Sequence, residues 1–315
     1  MGSSKASGAR LGVPVDRRLG YTTVGRDWGM CQGGSRMAFA SGIERNVALH
    51  YSHGTLEAAI LQALAAMGKD VAALQPADLA PVDEFHIGGR QATAAFAAEL
   101  GLTPGMHLLD IGAGLGGAAR YVATEQGCRV TGVDVTEDYV RVANSLAKRV
   151  GLADKVALQK ASALELPFEP ASFDGAYMMH VGMNIFDKDA LFVEVRRVLK
   201  PGGVFGIYDI MRVGPGEVTL PTPWASTVTT SFVEEEATYR RLLERAGFTV
   251  EKTRNRRDFA LKFFRDLRER FAGSGPPPLG LHILMGPVAR KKYSNMTRAI
   301  EDGIVAPVEI VARAV

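Results

Sequence analysis

The residues best placed to do chemistry lie in the run Asp110-Ile111-Gly112-Ala113-Gly114-Leu115-Gly116-Gly117. Glycines set between an apolar run and a helical pattern let a backbone come close to a ligand at a helix N-terminus, because no Cβ blocks the approach. Gly112, Gly114 and Gly117 also satisfy G-x-G-x-x-G, so the loop alone suits a dinucleotide equally well. Asp110 shifts the balance. It precedes the first glycine by two residues, where a carboxylate repels a pyrophosphate and attracts a cationic cofactor. Asp134 closes the next apolar run, Val130-Thr131-Gly132-Val133-Asp134, 17 residues beyond Gly117, where its carboxylate can accept from both hydroxyls of a ribose. His180 and Asn184 follow a fourth apolar run and could orient a nucleophile or take its proton. Tyr208 and Asp209 end a fifth, also on the expected cleft side.

These groups need strands that end side by side. The run His107 to Ile111 reads as the first buried strand, followed by helix 116–126, strand 128–134, helix 137–150, strand 156–160, strand 173–179, helix 188–199 and strand 203–210. Helix 233–246 then leads to strand 248–253, and Val308 to Val315 reads as the last strand. This alternation predicts an α/β, Rossmann-like, mostly parallel seven-stranded sheet with an antiparallel last strand. Residues 1–42, rich in Gly, Ser and Arg, read as a disordered tail, within which Met37 is the expected true start. Residues 43–104 read as a helical lid, with helices on either side of Ser52-His53-Gly54 and another from Gly89 to Gly101. Residues 105–254 form the expected core and 255–305 an insertion that holds the basic helix Phe259 to Phe271 and Pro276-Pro277-Pro278. Residues 306–315 complete the sheet.

Two more segments, Ser162-Ala163-Leu164-Glu165-Leu166-Pro167-Phe168 with Ser172-Phe173-Asp174, and Arg197-Val198-Leu199-Lys200-Pro201-Gly202-Gly203, complete an ordered set of four. With them, residues 105–254 resemble the class I S-adenosylmethionine-dependent methyltransferases. The runs Met179 to Lys188 and Asp83 to Arg90 are similar to those of the sarcosine and dimethylglycine N-methyltransferases and their small-molecule relatives. The resemblance implies S-adenosyl-L-methionine as cofactor and S-adenosyl-L-homocysteine as product. It implies that Gly112, Gly114 and Gly116 line the methionine portion, Asp134 and Val135 the ribose and adenine, and Ser162 and Ala163 the adenine edge. Ser162 departs from the family pattern, which usually has Asp there to accept from the adenine amino group. Arg90, with His86, is expected either to clamp the cofactor carboxylate or to form a lid salt bridge.

Methyl transfer to a small-molecule acceptor follows as the expected activity, at an amine nitrogen first and at oxygen or sulfur as the alternative, where His180 would matter more as a base. His180, Asn184 and Tyr208 are the candidate catalytic residues, against the plainer reading of a packed histidine and tyrosine. Trp224, behind Pro221 and Pro223, could wall a cationic pocket or simply clamp a loop. Met178, Met179 and Met183 read as pocket wall rather than metal ligands, and no metal is expected. Nucleic-acid methylation fits poorly: Met178-Met179-His180 stands where an Asn/Asp-Pro-Pro-aromatic run is needed, and neither Cys31 nor Cys128 follows a proline. An NAD-dependent dehydrogenase and a silent cofactor-binding module remain as rivals from other classes.

Bulk properties agree with this reading. In 315 residues, 47% are hydrophobic and 23% charged, which is ordinary globular usage, and a net charge of +3 argues only weakly for a polyanionic partner. Two cysteines without metal spacing point to a reducing cytoplasm. No membrane span is read, and Ala6 stands where a myristoylation signal needs Ser or Thr. The expected protein is a cytoplasmic monomer or homodimer.

Overall fold

The computed structural model describes residues 33–51, 55–273 and 277–315. The expected tail up to residue 32, with Cys31 in it, lies outside these, as do Ser52-His53-Gly54 and Pro276. Helix α1 spans Gly33–Tyr51, so residues 33–42, expected in the tail, are helical. Residues 39–315 form one compact unit.

Helices α2 (Leu56–Ala66), α3 (Pro76–Asp83) and α4 (Gly89–Ala97) precede the sheet. The sequence reading passed over α3, although its start is written in the chain. Pro76 occupies the first turn, and the Asp78 carboxylate accepts from the Gln75 N–H at 2.8 Å, one half of a capping box. Strand β1 (His107–Ile111), α5 (Gly117–Glu125), β2 (Arg129–Asp134), α6 (Glu137–Arg149), β3 (Val156–Lys160), β4 (Phe173–Met179), α7 (Lys188–Val198) and β5 (Leu199–Arg212) follow in the expected alternation. Then come α8 (Glu236–Arg245) and β6 (Phe248–Asn255), the inserted helices α9 (Arg257–Arg270), α10 (His282–Met285) and α11 (Ala289–Glu301), and β7 (Val305–Ala314).

The seven strands lie in the order β3-β2-β1-β4-β5-β7-β6, with β7 antiparallel to both neighbours. Period-two alternation divides the strand residues between two faces. Leu109, Ile111, Met178 and Ile207 pack with α7 and α8, whereas Leu108, Val130, Tyr177 and Tyr208 pack with α4, α5 and α6. Asp110 shares the face of Leu108, which turns its carboxylate toward Tyr177 and α4. Helix α6 illustrates why these helices form where they do. Tyr139, Val142, Ala143, Leu146 and Ala147 make one buried stripe, with acids in the first turn and bases in the last. The insertion is helical, as expected, and adds α10 and α11 to the one helix located from the sequence. Helix α11 adds Met296, Ala299 and Ile300 to a cluster with Met183, Trp224 and Phe264. No helix of the described residues is long and apolar enough to cross a membrane.

Candidate active site

At the carboxyl ends of β1, β2 and β4 lies a cleft whose open volume, mouth included, is about 1260 Å³. Parallel strands that end together beside glycine-rich turns leave such a crevice because their connections diverge to opposite faces. The loop from Gly112 to Gly116 forms its floor. Ala113 N–H donates to the Val133 carbonyl at 3.0 Å, and Gly114 N–H to Asp134 Oδ2 at 2.9 Å. The other Asp134 oxygen accepts from Thr136 N–H at 2.8 Å, so one carboxylate ties two strand ends together and keeps a lone pair on each oxygen for a ligand.

Two glycines here are required by space. Gly112 has φ of +67°, and a Cβ on it would stand 2.5 Å from Val181 Cγ2. A Cβ on Gly117 would stand 2.2 Å from the backbone oxygen of Asp83, because the end of α3 rests on the start of α5. Beneath the loop lies a buried brace that sequence reasoning missed. Arg120 donates to Asp83 Oδ2 at 2.6 Å, to the Leu115 carbonyl at 2.7 Å and to the Ala143 carbonyl at 3.4 Å. An arginine three residues into a helix looks like a solvated charge; only the arrival of α3 from outside the core makes it a structural anchor.

Asp110 is buried and accepts from the Tyr177 hydroxyl at 3.1 Å. Burial drives its pKa well above the usual carboxylate range, the Tyr177 hydrogen bond opposing and the nearby Asp134 and Glu84 charges adding. Asp134 is also raised by burial, with the N–H groups of Thr136 and Gly114 opposing. Glu84 is pushed up to about 8 by burial and then by Asp83. Asp83 Oδ1, on the cleft wall, is buried with no hydrogen-bond partner among the described residues. A cluster of acids short of countercharge suits a ligand that brings a cation.

His180 follows β4 in a left-handed conformation, φ +57°, and its N–H donates to the Tyr208 carbonyl at 2.7 Å. Its ring stacks on Tyr208, with centroids 5.0 Å apart, and meets His86 edge-on at 6.0 Å. Burial, followed by the neighbouring His86, holds the His180 pKa well below its ordinary value, so the ring is neutral. Its Nε2 has no hydrogen-bond partner among the described residues. His86 is pushed down to about 4 by burial, and its Nε2 lies 3.0 Å from the Thr93 hydroxyl, which donates to Glu84 at 2.6 Å.

The structure brings Asp110, Gly112, Gly114, Asp134, Val135, Ala163, His180 and Asn184 to one cleft. Five other candidates stand apart from its lining. Arg90 turns along the outside of α5, donating to Glu125 at 3.1 Å and lying over the Tyr121 ring, because α4 packs side-on against α5. Gly116 serves as the left-handed residue before α5. Tyr208 is fully buried beneath His180, with its hydroxyl donating to the Ile87 carbonyl at 2.9 Å, so it positions rather than lines. Asp209, expected on the cleft side, accepts from Tyr239 at 2.6 Å on the opposite face. Ser162 donates to Glu44 of α1 and lies just behind the lining. Asn184 holds the roof: it donates to the carbonyls of Trp224 and Thr230, both at 2.8 Å, and Trp224 lines the cleft.

The Methyltransferase domain family model matches residues 109–207, which contain the loop, Asp134 and His180. The chain carries a class I S-adenosylmethionine-dependent methyltransferase fold. A sterol 24-C-methyltransferase of Gibberella zeae is 38% identical over 113 residues, 36% of this chain and 30% of that protein. The chain thus spans about a third of the length of the curated sterol relatives it matches. Among solved structures, a sarcosine dimethylglycine methyltransferase assigned in Galdieria sulphuraria superposes with a TM-score of 0.57 at 21% identity, covering 71% of this chain and 84% of that one. A geranyl diphosphate C-methyltransferase of Streptomyces coelicolor superposes with a TM-score of 0.62 at 18% identity, covering 88% and 98%. In this methyltransferase fold the expected mostly parallel seven-stranded sheet and its antiparallel last strand are both present.

Proposed function

We propose that the chain transfers the methyl group of S-adenosylmethionine to a small-molecule acceptor, and that the acceptor atom is an amine nitrogen. The observation that carries the first part is the glycine loop pinned through Gly114 to Asp134 beside a crowd of buried acids. Asp110 and Asp83 would meet the ammonium of the cofactor, Gly112 and Gly114 its methionine portion, Asp134 the ribose hydroxyls, and Val135 and Ala163 the adenine. Bound there, the cofactor would supply a sulfonium methyl that an acceptor takes by in-line attack, with S-adenosylhomocysteine as the leaving group. A pyrophosphate would meet the same carboxylates as a like charge, which speaks against the dehydrogenase reading.

Relatives do not choose the acceptor atom, since their names include carbon and nitrogen targets, and a fold hosts many reactions. The amine reading is supported by the cleft's own charges. Its charged lining among the described residues consists of Glu44, Asp83, Asp110 and Asp134, which favours a neutral or cationic acceptor over an anionic one. Met179, Met183, Trp224, Leu284 and Met296 supply an apolar wall that excludes water from the displacement. An amine lone pair would form the N–C bond as the C–S bond breaks, and the extra proton on nitrogen would then leave to water or to His180 Nε2.

A second reading, transfer to a hydroxyl or thiol, draws on that same unpartnered, neutral His180 Nε2, because such a nucleophile must lose its proton to react at speed. Isothermal titration with S-adenosylhomocysteine tests the cofactor: micromolar binding lost in Asp134→Ala is the expected result, and a wild-type protein that fails to bind would refute it. Tritiated-methyl transfer to amines, alcohols and thiols, repeated with His180→Ala, tests the acceptor. Retained transfer to an amine with lost transfer to a hydroxyl is expected; an unchanged rate constant for every acceptor would remove His180 as a base.

A further inference from the structure

In the loop after β3, Ser162 stands where the resemblance implies an acid, and the structure brings one to it from elsewhere. Asp134 pairs in register with Lys160, and Ala161 N–H donates to the Asp134 carbonyl at 3.2 Å. Residues 161–163 therefore lie directly beside the carboxylate assigned to the ribose, and Val135, Ala161 and Ala163 line the cleft there. A purine attached to that ribose would lie against this surface, within reach of the loop's edge. Ser162 is engaged in both directions, accepting from Leu164 N–H at 3.0 Å and donating to Glu44.

Glu44 lines the same cleft although it belongs to the roof helix α1, and Val47, nearly one turn along, shares its face. Half-burial raises the Glu44 pKa, the Ser162 hydrogen bond opposing and Glu165 adding. Farther along the same helix, His50 Nε2 lies 3.2 Å from the Pro223 carbonyl, next to the cleft-lining Trp224.

We propose that Glu44 recognises the exocyclic amine of adenine, so that binding the cofactor seats α1 over the acceptor end of the cleft. This rests on the cofactor reading above. An ionised carboxylate accepts and cannot donate, so it suits a 6-amino purine and repels a 6-oxo purine, whose oxygen is also an acceptor. One helix then carries both base recognition at Glu44 and the contact with the Trp224 loop through His50.

The test is titration of the full-length protein with S-adenosylhomocysteine and with S-inosylhomocysteine, its deaminated form. The unaltered protein is expected to favour the adenosyl compound by about tenfold, the worth of a hydrogen bond to a charged group. In Glu44→Gln that preference should vanish or invert, because an amide can donate to a 6-oxo group. In Glu44→Gln/Ser162→Asp it should return, since the carboxylate has moved to the loop. An adenosyl-to-inosyl ratio unchanged in Glu44→Gln would overturn the proposal, and a merely structural role for Glu44 would weaken both compounds equally and leave that ratio intact. If the unaltered protein binds neither compound, the cofactor reading itself fails; if it binds both and Asp134→Ala loses both, that reading stands whatever Glu44 does.

Discussion

Replacing Gly117 by alanine sets two physical effects against each other. Gly117 is the first residue of α5, and by helix propensity alone the added methyl would stabilise the protein by up to about 1 kcal/mol. The packing opposes this. The new Cβ would stand 2.2 Å from the Asp83 backbone oxygen, 2.7 Å from its carbonyl carbon and 2.8 Å from Oδ1, so the end of α3 must move. Backbone yields less readily than a side-chain tip, and the displaced residue also carries the 2.6 Å bond to Arg120, which in turn holds the Leu115 carbonyl. Overpacking of this kind costs about 1 to 3 kcal/mol, and disturbing a buried ion pair adds to it. The net expectation is a loss of about 2 kcal/mol, or a melting temperature roughly 4 to 8 °C lower. Gly114→Ala is the companion variant. Its added Cβ has nothing within 4 Å and meets only the strain of φ +54°, about 1 kcal/mol, with the Asp134 hydrogen bond kept. Urea unfolding and thermal melting of both proteins measure the difference. A Gly117→Ala protein that melts at or above the unaltered one would refute the claim that α3 rests on this glycine.

Cofactor binding is expected to release a proton. Burial raises the Asp110 pKa and an arriving ammonium favours the ionised form, so affinity should rise with pH until Asp110 ionises unaided. Calorimetry of S-adenosylhomocysteine binding in buffers of different ionisation enthalpy reads the proton directly. Release that persists in Asp110→Asn would assign it to another group. Arg120→Met should cost about 3 to 5 kcal/mol by leaving Asp83 buried without its partner, as read from denaturant unfolding, and a loss below 1 kcal/mol would show the pair to be dispensable.

The core was largely legible because its signals are local. Each strand of the parallel sheet is a short apolar run closed by turn residues, and each helix between them shows its own buried stripe, so the alternation of 107–212 could be read in order. The glycine loop, Asp110 and Asp134 were legible for the same reason: they sit at fixed offsets from strand ends, and parallel strands must end together. Helix α3 escaped because a short helix carrying Pro81 shows little periodicity, and Pro76 and the capping signal at Gln75 and Asp78 were the cues available.

Where side chains turn was decided by tertiary structure. Arg90 has the chemistry to bind a carboxylate, yet the packing of α4 on α5 takes it to Glu125. Tyr208 and Asp209 are adjacent in sequence, yet a strand sends neighbours to opposite faces, so one lies beneath His180 and the other meets Tyr239. Glu44 joins Ser162 across 118 positions of chain, a distance at which no local pattern carries information. The sequence by itself determined the order of elements and the residues at strand ends, because hydrogen bonding and periodicity act over a few residues. The structure alone decided the brace under the loop, the roof over it and the carboxylate that reaches Ser162, because these depend on how separately formed elements pack.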